Sequence, residues 1–175
     1  YCTHGPSTTD YFQELAKKHQ NFKVVETGWP KMDALFPIEP KLVKNKFQTI
    51  MIASTFSKKL SLAYSDELYQ EIARLIGTNK YKFILVLHPK METFIVNKWK
   101  KLDGDNLKFY DSTDLIPLFK QADKLLADTT SVIQEFVLQR KPVVTFANNS
   151  KSNYILNIND AKDLESVLDI DDSKL

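Results

Sequence analysis

Leu125-Leu126-Ala127-Asp128-Thr129-Thr130-Ser131-Val132-Ile133-Gln134-Glu135-Phe136-Val137, running on to Lys141-Pro142-Val143-Val144-Thr145-Phe146, is the stretch that decides the fold. Lys124 to Ala127 and Val143 to Phe146 are short, apolar and partly β-branched, while Val132, Ile133, Phe136 and Val137 recur at helical spacing. The period therefore switches twice, as it does in a strand, turn, helix, strand unit. At the turn, Thr129, Thr130 and Ser131 set three hydroxyls beside the unpaired amide N–H groups of a helix start, and Ser131 with Gln134 has capping-box spacing. Such a corner suits an anion, a phosphate above all. Asp128, Thr130 and Ser131 are equally the residues of a plain helix cap, and the corner alone does not separate the two readings.

The same alternation extends outward from this unit. Thr49 to Ser54 reads as a strand that ends in the polar turn Thr55-Phe56-Ser57-Lys58. A helix follows from about Ser65, with Leu68, Ile72, Leu75 and Ile76 as its apolar stripe. Tyr81 to Leu87 is nearly all apolar, as in a parallel strand covered on both faces, and stops at His88-Pro89-Lys90. Next come a helix from about Met91 to Lys101, a strand from Leu107 to Tyr110, and a further helix opened by Asp111-Ser112-Thr113, in which Pro117 is tolerable only near the start.

Nearer the beginning, Asp10 to His19 has the pattern of a short helix and Phe22 to Glu26 that of a strand, which ends in Gly28-Trp29-Pro30-Lys31-Met32-Asp33. Phe36 to Lys46, with two prolines and several lysines, reads as a surface linker. After Phe146, Ala147 to Asn153 is a polar loop, and Ala161, Leu164, Val167 and Leu168 mark a last helix. The expected fold is an α/β open parallel sheet with helices on both faces and right-handed crossovers. In such sheets ligands gather beyond the carboxyl ends of the strands. Gly28 to Asp33, Thr55, His88-Pro89-Lys90, Asp111 and Asp128 to Ser131 each follow a strand directly, so these segments are expected to share one rim.

Composition narrows the chemistry. With 175 residues, 43% of them hydrophobic, the chain can bury a full core, and one compact domain is expected overall: a connection and first-strand region over 1–40, then a nucleotide-binding domain over 41–175. A net charge of +2 with 26% charged residues provides no field to hold nucleic acid or an anionic membrane by charge alone. Cys2 is the single cysteine, which excludes a disulfide framework and a cysteine-based zinc site. His4, His19 and His88 lack metal-ligand spacing, and no dinucleotide glycine motif, P-loop or G-x-S-x-G elbow occurs. Neither metal nor cofactor is expected. The chain begins at Tyr1 without an initiator methionine and is expected to be part of a longer protein.

His4-Gly5, then Gly28-x-Pro30-Lys31-x-Asp33, His88-Pro89, Asp128-Thr129-Thr130-Ser131-Val132 with Glu135-Phe136, and Lys141-Pro142-Val143-Val144, taken in that order, resemble the CDP-glycerol glycerophosphotransferase family of teichoic-acid-type polymerases and primases. The family differs in having Arg at the position of Lys31 and commonly Asp-Tyr-Ser-Ser or Asp-Thr-Ser-Ser at Asp128 to Ser131. The resemblance implies the C-terminal, Rossmann-like, donor-binding half of a GT-B fold, whose partner would be a missing N-terminal GT-B domain. It implies His4 as the base that takes a proton from the acceptor hydroxyl and His88 as a contact to the donor pyrophosphate. It further implies phosphate contacts from Thr129, Thr130 and Ser131, a weaker one from Lys90, and a place near the nucleotide for Gly28, Pro30, Lys31, Asp33, Pro89 and Glu135.

The implied donor is CDP-glycerol or a similar nucleotide, and the implied acceptor a polymer or lipid-linked hydroxyl. The implied location is the cytoplasm, peripheral on the inner face of the plasma membrane. The isolated chain is expected to bind donor without turning it over. Two other readings stand beside this one: a GT-B glycosyltransferase or UDP-N-acetylglucosamine 2-epimerase-like enzyme using a UDP-sugar, and a nucleotide-binding module without catalysis.

Overall fold

The computed structural model describes residues 1–38, 47–148 and 155–170. The chain divides into two compact units, Tyr1–Glu39 and Pro40–Leu175.

In the first unit a short parallel pair joins β1 (Cys2–Thr3) to β2 (Val25–Glu26) through the helix α1 (Pro6–His19). Tyr1 to Thr9 reads as a turn from sequence because a two-residue strand carries no periodic signal. The helix begins earlier than Asp10. Pro6 needs no N–H partner in a first turn, and the N–H groups of Thr8 and Thr9 both bond the Gly5 carbonyl. Gly28 follows β2 with φ 73°, a left-handed conformation that favours glycine. Pro30–Leu35 then forms a 3-10 turn that buries Met32 and Leu35.

The second unit contains β3 (Gln48–Ser54), α2 (Asp66–Gly77), β4 (Tyr81–Leu87), α3 (Thr93–Lys100), β5 (Leu107–Phe109), α4 (Ile116–Gln121), β6 (Lys124–Ala127), α5 (Val132–Val137), β7 (Val143–Phe146), β8 (Ile155–Ile158) and α6 (Leu164–Leu168). All its strands are parallel, in the order β5-β4-β3-β6-β7-β8. The chain winds outward from β3 in one direction and from β6 in the other, and a constant crossover handedness then sends the connecting helices to opposite faces.

Ile50, Ile52, Phe83, Leu85, Leu126 and Val144 pack on one face with Leu68 and Ile72 of α2, Ile95 and Trp99 of α3, and Leu164 and Leu168 of α6. The alternate residues Met51, Leu125 and Val143 are turned the other way, towards the side of α4 and α5, where Phe119 and Phe136 meet edge to face at 5.7 Å. Ser65 caps α2 by accepting the Leu68 N–H.

Three sequence expectations change in this unit. Ser131 does not build a capping box: its backbone is already helical and its side chain makes no cap bond. The helix after β5 starts at Ile116, and Asp114 rather than Asp111 accepts the Ile116 N–H. β8 was not expected, since four residues with Asn157 among them give too little apolar alternation to read. The linker expected over Phe36 to Lys46 and the loop over Ala147 to Asn153 fall largely outside the described residues. No helix among the described residues is long and apolar enough to cross a membrane.

Candidate functional site

β3 and β4 end level with one another, and β6 ends one residue earlier. Ser54 pairs with Leu87, so Thr55 and His88 leave the sheet at the same height on its carboxyl edge, and Ala53 pairs with Ala127, so Asp128 leaves it one residue earlier, beside Ser54. The outward winding reverses between β3 and β6, so Thr55 and Asp128 flank the switch point, where a parallel sheet opens a crevice.

Asp128 is wholly buried and holds this crevice together from within. Its Oδ2 accepts the Ser54 hydroxyl at 2.7 Å and the Leu62 N–H at 3.0 Å. The Thr55 N–H reaches both carboxylate oxygens, at 3.0 and 3.1 Å. Ser54 Oγ also lies 2.7 Å from Ser61 Oγ. Several donors converging on one carboxylate satisfy a charge that would otherwise be costly to bury. Sequence reasoning put Asp128 at the ligand rim, but its carboxylate is turned inward and anchors the loop after β3. Its carbonyl is likewise engaged, by Asn148 Nδ2 at 2.9 Å.

That loop brings Phe56 against His88, with ring centroids 4.6 Å apart. The Lys90 N–H donates to His88 Nδ1 at 3.0 Å. An acceptor at Nδ1 leaves the proton of the neutral imidazole on Nε2, so the ring offers an N–H donor. His88 is half-buried, and Pro89 and Lys90 are exposed beside it. Lys90 Nζ stands 5.6 Å from the Phe56 ring centroid, in reach of its π face.

On the far side of Thr55, Thr129 and Ser131 are exposed and Thr130 half-buried. Thr130 Oγ1 accepts the Val132 N–H at 3.4 Å, a long bond that leaves its other lone pair and its proton available. Because α5 has only six residues, an anion here would be held by local hydroxyls and amides more than by a long helix dipole. Glu135 is buried on α5 rather than open on the rim. Asp111 follows β5 and is exposed.

The remaining expected residues belong to the first unit. His4 directly follows β1 and is exposed, its ring 5.3 Å from that of Trp29. Gly28 and Pro30 follow β2, and Lys31 and Asp33 are exposed on the 3-10 turn. Parallel pairing of β1 with β2 sets His4 and Gly28 at the same end of that pair. Among the described residues, no group of three His, Cys, Asp or Glu side chains is placed to hold a metal ion.

The structure thus brings Thr55, His88, Pro89, Lys90 and the Thr129 to Ser131 corner to one edge of the larger sheet. Sequence reasoning missed Phe56 as part of this edge. Its signal was available, a large aromatic in a polar turn just after a strand, but nothing in one dimension says that the turn lies against His88.

A model of the family "CDP-Glycerol:Poly(glycerophosphate) glycerophosphotransferase" matches residues 5–168. Among curated protein sequences none matches the chain. Among solved structures, the wall teichoic acid polymerase TagF aligns over 95% of this chain and 47% of its own, at 16% identity and a TM-score of 0.65. A TagF structure from a CDPG soak aligns over the same shares with a TM-score of 0.67. The UDP-GlcNAc 2-epimerase from Neisseria meningitidis, bound to UDP-GlcNAc, aligns over 95% of this chain and 44% of its own, at 13% identity and a TM-score of 0.56. At these identities the likeness is one of fold, the Rossmann-like α/β architecture of GT-B enzymes, and this chain spans less than half the length of those three.

Proposed function

From the premise that this chain belongs to the CDP-glycerol:poly(glycerophosphate) glycerophosphotransferase family, a family of transferases, we propose that it is the donor-nucleotide half of such an enzyme, transferring glycerol phosphate from CDP-glycerol to a polymer hydroxyl. The observation that carries this reading is the carboxyl edge at the β3 and β6 switch point, where hydroxyls and an imidazole N–H stand in neighbouring loops.

In this reading the acceptor oxygen attacks the β-phosphorus of CDP-glycerol. The bond from that phosphorus to the bridging oxygen breaks, and CMP leaves. His88 Nε2–H donates to a diphosphate oxygen and the Lys90 ammonium adds positive charge. Thr129, Thr130 and Ser131 donate hydroxyl or amide hydrogens to the remaining phosphate oxygens. These groups act by positioning and by stabilising charge at the leaving group. His4, in the first unit, is the base that the family resemblance implies for the acceptor proton. The acceptor and the membrane association of the whole protein follow the family in the same proposal.

The test is thermal unfolding of the 175-residue chain with a ligand panel. CDP or CDP-glycerol at about a hundredfold excess over Kd is expected to raise Tm by roughly 5–10 °C, and the double variant His88→Ala, Ser131→Ala to lose that shift. Protection by UDP-GlcNAc and not by the cytidine nucleotides would replace the donor with a UDP-sugar. Absence of protection by any nucleotide would overturn the reading.

A further inference from the structure

Phe56 is 44% exposed in the turn Thr55-Phe56-Ser57-Lys58 at the carboxyl edge of β3, where its neighbours are polar. A ring so open gains little from burial, so core packing does not account for it. Its surroundings are specific. The His88 ring lies against it at 4.6 Å with the planes tilted by 43°, and Lys90 Nζ stands 5.6 Å from its centroid. Its backbone neighbour Thr55 is fixed by two contacts from the N–H to the buried Asp128 carboxylate. A continuous line of contacts therefore runs from the end of β6, through Thr55 and Phe56, to the imidazole that follows β4.

The hydrogen bond from Lys90 N–H to His88 Nδ1 selects a tautomer only while the ring keeps Nδ1 aimed at that N–H, and one contact does not by itself hold the ring there. A ring packed against it removes that freedom. The negative face of the same ring attracts the Lys90 ammonium and keeps it near the imidazole.

From this geometry we infer that Phe56 is a positioning residue for His88: it sets the plane of the imidazole so that Nε2–H is presented to the bound diphosphate. Phe56 itself touches no reacting atom. The consequence for binding rests on the donor reading above, whereas the effect on the imidazole is a property of the unliganded chain.

Two measurements on the 175-residue chain test this, with Phe56→Ala and Phe56→Trp. The first is nitrogen NMR of the His88 ring without ligand. Wild type is expected to show the Nε2–H tautomer, Phe56→Ala a mixture of tautomers, and Phe56→Trp the wild-type pattern again. The second is CDP affinity by calorimetry. Phe56→Ala is expected to weaken it roughly five- to tenfold, the scale of one ordinary net hydrogen bond, with Phe56→Trp restoring it.

Combined with His88→Ala, the Phe56→Ala loss is expected to fall well short of the product of the two single losses, because both act through one imidazole. An unchanged His88 spectrum in Phe56→Ala, or fully multiplicative losses, overturns the inference. Should wild type bind no CDP, the donor reading fails by itself and the tautomer measurement still decides the role of Phe56.

Discussion

β6 has a fully buried charge at each end, and the two collect opposite kinds of backbone. Lys124 opens the strand and Asp128 follows its last residue, and residues 124, 126 and 128 point to the same face by alternation. Lys124 Nζ donates to the carbonyls of Leu168 and Ile170, both at 2.8 Å, where α6 runs out of intrahelical partners. Asp128 accepts from the N–H groups of Thr55 and Leu62 and from the Ser54 hydroxyl. The cation closes a helix end and so completes the scaffold. The anion gathers a loop start and so shapes the candidate site. Equal burial on one strand thus closes a helix end at the amino edge of the sheet and fixes the loop after β3 at the carboxyl edge, because the sign of the charge decides which orphaned groups it can satisfy.

The largest effect is expected from Asp128→Ala, which strands several buried donors. Urea unfolding should show a loss of about 3–5 kcal/mol, together with loss of CDP protection. The milder Asp128→Asn keeps the shape but turns an amide NH2 toward N–H donors, and should weaken CDP binding even where the fold survives. Undiminished protection in Asp128→Asn would break the assignment of this carboxylate to the site.

Lys124→Met is expected to cost about 2–3 kcal/mol in the same unfolding measurement, since the two carbonyls lose a charged donor, while CDP affinity stays at the wild-type value. A parallel fall in affinity would show that the two ends are not separable.

The smallest effect concerns the contacts that hold α6 near Lys124. Asp169 bonds both Lys80 Nζ and the Tyr81 hydroxyl. Burial, and next the bond to Asp169, push the Tyr81 phenol up to about 12 from 10.0. The folded state therefore holds the phenolic proton more tightly than the unfolded chain. Its contribution is complete below pH 10 and is lost as pH rises toward about 12. Tyr81→Phe should flatten that alkaline decline, and an unchanged slope between pH 10 and 12 would remove Tyr81 from the account.

Much of this molecule was legible in one dimension. Tyr81 to Leu87, Lys124 to Ala127 and Val143 to Phe146 are strands at the residues expected, because parallel strands covered on both faces must be continuously apolar. β1 and β8 were not legible, since a two-residue strand has no period and the apolar run of β8 is broken by Asn157; both exist by pairing with β2 and β7. At the candidate site, His88 and the Thr129 to Ser131 corner could be marked because they follow strands. The inward turn of Asp128 could not, nor the burial of Glu135, because a carboxyl group in a motif looks the same whether it meets solvent or neighbouring amides.

Sequence alone determined the alternation of strand and helix, the ends of the main strands and the polar residues that follow them, since these rest on local periodicity and on the chemistry of chain ends. Tertiary structure alone decided that β3 and β6 are neighbours, and with that the meeting of Asp128 with Thr55 and of Phe56 with His88. Strand neighbours are chosen by how all the apolar faces can be covered at once, a property of the whole chain that no single segment encodes.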